Sequence, residues 1–319
     1  MEKILVTGSS GFIGMHLCKD LLNDGYVVEG VDNMSDYYDL SLKESRLDLL
    51  SDYDNFTFNK IDISNLQDVE RVFNKFKPEK VVNLAAQAGV RYSIENPHIY
   101  IQSNVVGFTN IIEACRNYNV KGLIYASSSS VYGGNKKTPF STDDRVDKPL
   151  SIYAASKRSN ELIAYTYSHL YGLNTTGLRF FTVYGPWGRP DMAMYIFADK
   201  ISNGEKIPVF NHGKMQRDFT YIDDIVKGIR SSIEKNYSCE VFNLGNNCCE
   251  DLMDMIGHIE KGFNKSVEIN FMDNQPGDVQ KTYADINHAK NKLNYEPKTN
   301  IKKGIPKFIE WYKSYHKIR

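Results

Sequence analysis

Short apolar runs and longer stretches of helical spacing alternate through the N-terminal part of the chain. Lys3-Ile4-Leu5-Val6-Thr7 is a continuous run of strand length, and Ile13, Leu17, Leu21 and Leu22 follow it at helical spacing. Val27 to Val31 is a second run, Phe56 to Ile61 a third, Lys80 to Ala86 a fourth and Gly122 to Ala126 a fifth. Between them, Leu42 to Leu50, Val69 to Phe76 and Ile101 to Tyr118 carry helical patterns, the last with Val105, Phe108, Ile111, Ile112 and Cys115 on its apolar side. Ile152 opens a further helix through Leu162, Ile163 and Tyr167, and Thr176 to Tyr184 reads as a sixth strand. Strands that are apolar on both faces and alternate with helices predict a parallel sheet covered on both sides.

Beyond Tyr184 the rhythm changes. Pro186 and Pro190 break regular structure, Met194 to Asn203 is a helix and Ile207 to Phe210 a short strand. Gln216 to Asp224 leads into a helix capped by the paired acids Asp223 and Asp224, Val241 to Gly245 is another strand, and Ile305 to Tyr315 is the last helix. The prediction is an α/β chain with two parts. A Rossmann-type doubly wound parallel sheet covers 1–185 and is rejoined at about 219–246, while 186–218 and 247–319 form a smaller α/β C-terminal substrate domain.

The junction of the first strand and helix carries candidate chemistry. Gly8, Gly11 and Gly14 are spaced three and three, and Asp32 ends the second strand. A glycine turn between strand and helix lets backbone N–H groups and a helix N-terminus face a pyrophosphate, and the acid after the second strand takes an adenosine ribose. Asp62-Ile63, after the third strand, is placed to address an adenine ring, although Asp62 is equally a cap for the helix that follows. Ala85 and Ala86 end the fourth strand and are small enough for a cofactor to approach. Gln87 to Pro97, containing Arg91, is a loop at the carboxyl edge of the sheet, where doubly wound proteins bind ligands.

The fifth strand delivers Ser127 to Ser130, four hydroxyls between an apolar strand and a polar loop. Each would need a partner if buried, so they suit a site better than a strand. Tyr153 and Lys157 lie four apart, adjacent on one helical face, where an ammonium beside a phenol favours the phenolate.

Composition narrows the partners. With 39 basic and 39 acidic side chains in 319 residues there is no net field for nucleic acid or an anionic membrane, so a small molecule is expected. No apolar stretch approaches the ~20 residues that span a bilayer, and Met1-Glu2-Lys3 runs straight into the first strand, which leads to the expectation of a cytoplasmic protein. Cys18, Cys115, Cys239, Cys248 and Cys249 lack zinc-ligand spacing, so free thiols and no metal are expected.

Thr7-Gly8-Ser9-Ser10-Gly11-Phe12-Ile13-Gly14 resembles the glycine turn of the short-chain dehydrogenase/reductase superfamily, in its extended branch. Ser128, Tyr153 and Lys157 resemble the hydroxyl, tyrosine and lysine of its active sites. Over essentially its whole length the chain looks like a nucleotide-sugar epimerase of that branch. The stretches Arg179 to Ala193 and Asp32 to Tyr38 are most similar to UDP-glucuronate 4-epimerases.

The resemblance implies tightly held NAD and reversible oxidation at C4 of a UDP-hexuronic acid, with Ser128, Tyr153 and Lys157 catalytic. It assigns Gly8, Gly11, Phe12, Ile13, Gly14, Asp32, Asn33, Asp62, Ile63, Ala85, Ala86, Gln87, Asn104, Tyr153 and Lys157 to the cofactor. With no arginine beside it, Asp32 favours NAD over NADP. For the UDP-sugar it assigns Arg217 to the diphosphate and Asp278 to the uridine ribose, with Arg91, Ser128, Tyr153, Thr182, Arg189, Ser129 and Ser130 around the sugar and its carboxylate. It also suggests a homodimer. A decarboxylase, a 4-epimerase of neutral or N-acetylated UDP-sugars and a non-catalytic NAD-binding scaffold are the alternatives.

Overall fold

A computed structural model describes residues 1–273 and 279–318. The first apolar run forms β1 (Lys3–Thr7), followed by α1 (Phe12–Asn23), β2 (Val27–Asp32), α2 (Leu40–Ser51), β3 (Phe56–Lys60), α3 (Leu66–Phe76) and β4 (Lys80–Asn83). Two single turns, α4 (Tyr92–Glu95) and α5 (Pro97–Tyr100), lead to α6 (Gly107–Asn117), β5 (Gly122–Ser128), α7 (Ile152–Tyr171) and β6 (Thr175–Phe180). The remainder is β7 (Thr182–Tyr184), α8 (Ala193–Asn203), β8 (Ile207–Phe210), β9 (Gln216–Arg217), β10 (Phe219–Tyr221), α9 (Ile222–Lys235), β11 (Cys239–Leu244), β12 (Glu250–Asp251), α10 (Leu252–Phe263), β13 (Ile269–Met272), α11 (Asn287–Leu293) and α12 (Ile301–Tyr315).

Seven strands build the main sheet in the order β11-β6-β5-β4-β1-β2-β3, and every pairing in it is parallel. Both faces are buried. One is closed by α1 and α9 through Leu17, Leu21, Ile225 and Ile229, the other by α3 and α6 through Val72, Phe73, Phe108 and Ile112. This explains strands that read as unbroken apolar runs. The chain reverses direction across the sheet between β1 and β4, and the carboxyl ends of those two strands open a crevice there.

Several sequence expectations need correction. The fourth strand ends at Asn83, whose Oδ1 accepts the Thr7 hydroxyl at 2.6 Å. The Leu84 N–H still bonds the Thr7 carbonyl at 3.2 Å, but the Ala85 N–H turns to Thr7 Oγ1 at 3.1 Å, and the ladder stops there. The helix expected from Ile101 begins instead as a π-turn over Ile101–Val106. There the Asn160 side chain donates to the Asn104 carbonyl at 2.6 Å, a contact that takes that carbonyl out of regular winding.

The expected sixth strand is two strands. β6 lies in the main sheet, whereas β7 pairs with β10 in a separate parallel pair, the switch occurring at Phe181. Asp223 and Asp224 sit in the first turn of α9 but do not cap it. The cap residue is Tyr221, and Asp224 Oδ2 accepts the backbone N–H groups of Lys298 and Thr299 at 3.0 and 2.9 Å.

Outside the main sheet, β8 pairs in parallel with β13, and β9 antiparallel with β12. Trp187 packs against Trp311 and Tyr315 of α12 at 5.4 Å between ring centroids, tying the chain after β7 to the last helix. Cys18 and Cys115 are buried in the core, and all five cysteines are free. Among the described residues no helix is long and apolar enough to cross a membrane.

Candidate active site

One cavity of about 620 Å³ runs from the crevice between β1 and β4, across the ends of β5 and β7, to β8 and β9. At its inner end the glycine turn is a consequence of contact distances. Gly8 has φ +73°, and a Cβ there would meet the Ala85 nitrogen at 2.8 Å, while one on Gly14 would meet the Gly8 carbonyl oxygen at 2.0 Å. Gly11 caps α1 without any side-chain bond, and the first turn holds no acid, so the helix N-terminus is left to an anion. Phe12 and Ile13 line the cavity beside it.

Asp32 is held at the end of β2 by the N–H groups of Ser10 and Met34, at 3.2 and 2.9 Å. Lys43, a residue that sequence reasoning missed, reaches it from α2 at 3.6 Å. Asn33 donates to Asp62 Oδ2 at 3.0 Å and the Ser64 N–H to Oδ1 at 2.8 Å. Burial raises the Asp62 carboxyl, but these bonds overcome it and leave the group below its ordinary value. The helix cap considered for Asp62 is supplied by Asn65, whose side chain accepts from the Asp68 N–H.

Asp62, Ile63, Ala85, Ala86 and Gln87 all border the cavity. Asn104 does not. It is buried, and its amide is spent on the Gln87 N–H and carbonyl at 2.8 and 2.9 Å and on Ser156 Oγ at 2.9 Å. It supports Gln87 from behind.

In the middle of the cavity, β5 presents Ser128. Its hydroxyl caps a single turn, accepting the Ser130 N–H at 3.1 Å, and this turn carries Ser129 and Ser130 to the cavity wall. Helix α7 starts there because Ser151 caps it through the Ala154 N–H at 3.1 Å, which puts Tyr153 and Lys157 in its first turns facing the same space. Burial raises the Tyr153 phenol, opposed by the Ser128 hydroxyl and the Arg189 guanidinium. Lys157 also makes a bond to the neighbouring strand. Lys157 Nζ donates to the Ala126 carbonyl at 3.0 Å, and burial lowers its pKa to about 8.

Thr182 opens β7 on the cavity wall, and Arg189 enters from the loop after it. That guanidinium is engaged by Asp191, with Nε to Oδ1 at 3.0 Å and Nη2 to Oδ2. The loop is anchored by Arg46, a second residue missed from sequence. It is fully buried and donates to the carbonyls of Ser10, Trp187 and Gly188 and to the Tyr38 hydroxyl at 2.7 to 3.2 Å.

At the outer end the wall is apolar, with Pro208, Phe210, Met215 and Leu252, and Arg217 stands among them. The Arg91 guanidinium lies 4.4 Å over the Phe210 ring and so bridges the sheet loop to β8. Asp278 lies outside the described residues. Among the described residues no cluster of His, Cys, Asp or Glu could hold a metal.

A family model described as GDP-mannose 4,6 dehydratase matches residues 5–308. Protein CapI of Staphylococcus aureus is 53% identical over 99% of this chain and 99% of its own length. UDP-glucuronate 4-epimerase 2 of Arabidopsis thaliana is 45% identical over 98% of this chain and 76% of that protein. The solved structure of a Bacillus cereus UDP-glucuronic acid 4-epimerase, in complex with UDP-glucuronic acid and NAD, superposes with a TM-score of 0.93 at 35% identity, covering 98% and 99% of the two chains.

Proposed function

This chain belongs to the GDP-mannose 4,6 dehydratase family of extended short-chain dehydrogenases/reductases, and from that premise we propose that it interconverts UDP-glucuronate and UDP-galacturonate by NAD-dependent epimerisation at C4. The observation that carries the reading is a single cavity holding an uncapped helix N-terminus over three glycines at one end and Ser128, Tyr153, Lys157, Thr182 and Arg189 beside it. The glycine contacts and the uncapped helix fit a dinucleotide pyrophosphate, Asp32 an adenosine ribose, and the pair Asn33 and Asp62 with Ile63 an adenine. NAD, when bound, supplies a reversible store for the hydrogen at C4.

The protein's own part is acid–base and positional. Tyr153, as phenolate, takes the proton of the 4-OH while Ser128 donates to the same oxygen; once the 4-keto sugar has turned over to present its other face, Tyr153 returns the proton to O4. Lys157 and Arg189 supply the positive charge that offsets burial of the phenolate. Lys157 also binds the nicotinamide ribose, and Asn104 fixes Gln87 beside the cofactor. Thr182, Arg189, Ser129 and Ser130 hold the carboxylate, Arg217 the diphosphate with Arg91 at the adjoining wall, and Asp278 the uridine ribose. The segments 186–218 and 247–319 are the UDP-sugar-binding part.

The test is to incubate purified protein with UDP-glucuronate and separate the products. UDP-galacturonate is expected from the wild type and, at least 100-fold more slowly, from Tyr153→Phe. UDP-pentose as the sole product would overturn the reading. We further propose a cytoplasmic homodimer formed through α7 and the π-turn before α6. Ile101, Val106, Leu162 and Tyr165 remain exposed there, and light scattering should give twice 36.5 kDa.

A further inference from the structure

A guanidinium has two edges on which it can accept a carboxylate, and Arg189 has used one. Its Nε and Nη2 are taken by Asp191, across Pro190, whose ring fixes the local backbone. Nη1 has no hydrogen-bond acceptor among the described residues, and the side chain borders the cavity. Asp191 is held in turn from the other side. The Tyr37 hydroxyl donates to Asp191 Oδ2 at 3.3 Å, and the Tyr37 ring rests on Tyr92 at 4.9 Å. Tyr37 belongs to the segment that follows Asp32 and Asn33, so the hold on Arg189 begins at the cofactor end of the cavity.

The direction of the remaining edge matters for a specific chemical reason. Oxidising C4 of a hexuronate makes a β-keto acid. If its C5–C6 bond turns into line with the π lobes of the C4 ketone, that bond breaks and carbon dioxide leaves. The bonding pair moves onto the ketone as an enolate, and C5 then takes a proton from water. Holding the carboxylate so that C5–C6 stays in the plane of the ketone prevents this. A guanidinium free to swing about its own chain would hold the carboxylate without fixing that angle.

We propose that Asp191, braced by Tyr37, is a positioning residue: it fixes the orientation of the Nη1 edge of Arg189 and thereby makes the enzyme retain the substrate carboxylate. This rests on the uronate epimerase reading above. The geometry favours it over a role for Asp191 as competitor for the guanidinium, because the substrate can bind the second edge without displacing the first.

Asp191→Asn keeps the shape and removes the charge, and Tyr37→Phe removes the brace alone. With each purified variant, two quantities are read: the fraction of UDP-glucuronate consumed that appears by mass spectrometry as UDP-sugar lacking C6, and the calorimetric affinities for UDP-glucuronate and UDP-glucose. Asp191→Asn is expected to raise the C6-lacking fraction about 10-fold and weaken UDP-glucuronate about 10-fold, with UDP-glucose changed less than about twofold. Tyr37→Phe should give a smaller effect of the same kind, and Asp191→Glu should restore part of the loss.

An unchanged product fraction, equal weakening of both ligands or tighter UDP-glucuronate binding in Asp191→Asn would each overturn the proposal. Equal weakening would mark a merely structural residue, and tighter binding a competitor. Failure of the epimerase reading looks different, because the wild type itself would then form no UDP-galacturonate.

Discussion

Lys157 is a buried cation with one hydrogen bond, to the Ala126 carbonyl, among the described residues. Its folded pKa of about 8 lies below the ordinary 10.5. The charged form therefore costs stability at every pH below about 8, the cost shrinks between 8 and 10.5, and above that it is gone. Lys157→Met is expected to stabilise the cofactor-free protein by about 2 kcal/mol at pH 7 while lowering turnover at least about 100-fold. Thermal melts should show the gap to wild type closing by about pH 10; a variant less stable at pH 7 would refute this. The spacing of Ser128, Tyr153 and Lys157 after a glycine turn was enough to group them from the sequence, and all three line one cavity. Lys43, Arg46 and Asp191 were not legible there. Apolar periodicity assigns charged helix positions to solvent, whereas α2 turns Lys43 and Arg46 inward to meet Asp32 and backbone carbonyls.

At the scale of elements, α7 is fastened to the sheet by charge as well as by packing. Arg179 of β6 donates to both oxygens of Glu161 on α7, at 2.8 and 2.9 Å, and Ser127 of β5 adds a bond at 2.6 Å. The same guanidinium reaches the Tyr132 hydroxyl at 3.0 Å. Removing one partner of a buried pair strands the other, so Arg179→Met should cost about 3 to 5 kcal/mol in denaturant unfolding. Adding Glu161→Leu to it should recover much of the loss; a double variant as unstable as the single one would contradict this. The strands themselves were readable, since burial on both faces makes them apolar throughout. The break at Phe181 was not, because the apolar run continues across it. What divides β6 from β7 is pairing: the Phe181 N–H bonds Leu244 of the main sheet, and the Thr182 N–H bonds Asp218 beside β10.

On the scale of the whole molecule, the proposed dimer makes its own demand. Leu162 is 53% exposed on α7 beside the exposed Tyr165, and Leu162→Glu is expected to halve the mass seen by light scattering. The chain leaves the main sheet at Phe181, before the proline-broken stretch, and returns to it only with β11, which pairs with β6. Arg46 has a wider consequence. It holds carbonyls from the glycine turn and from the loop before Arg189 in a single buried hand, and Trp187 of that loop leans on α12. A relative given only the loop, without an arginine on α2 and the aromatic bed on the last helix, would bury carbonyls with no donor. The loop that carries Arg189 is therefore not a detachable cassette, and it travels only with an arginine and an aromatic bed from distant parts of the chain.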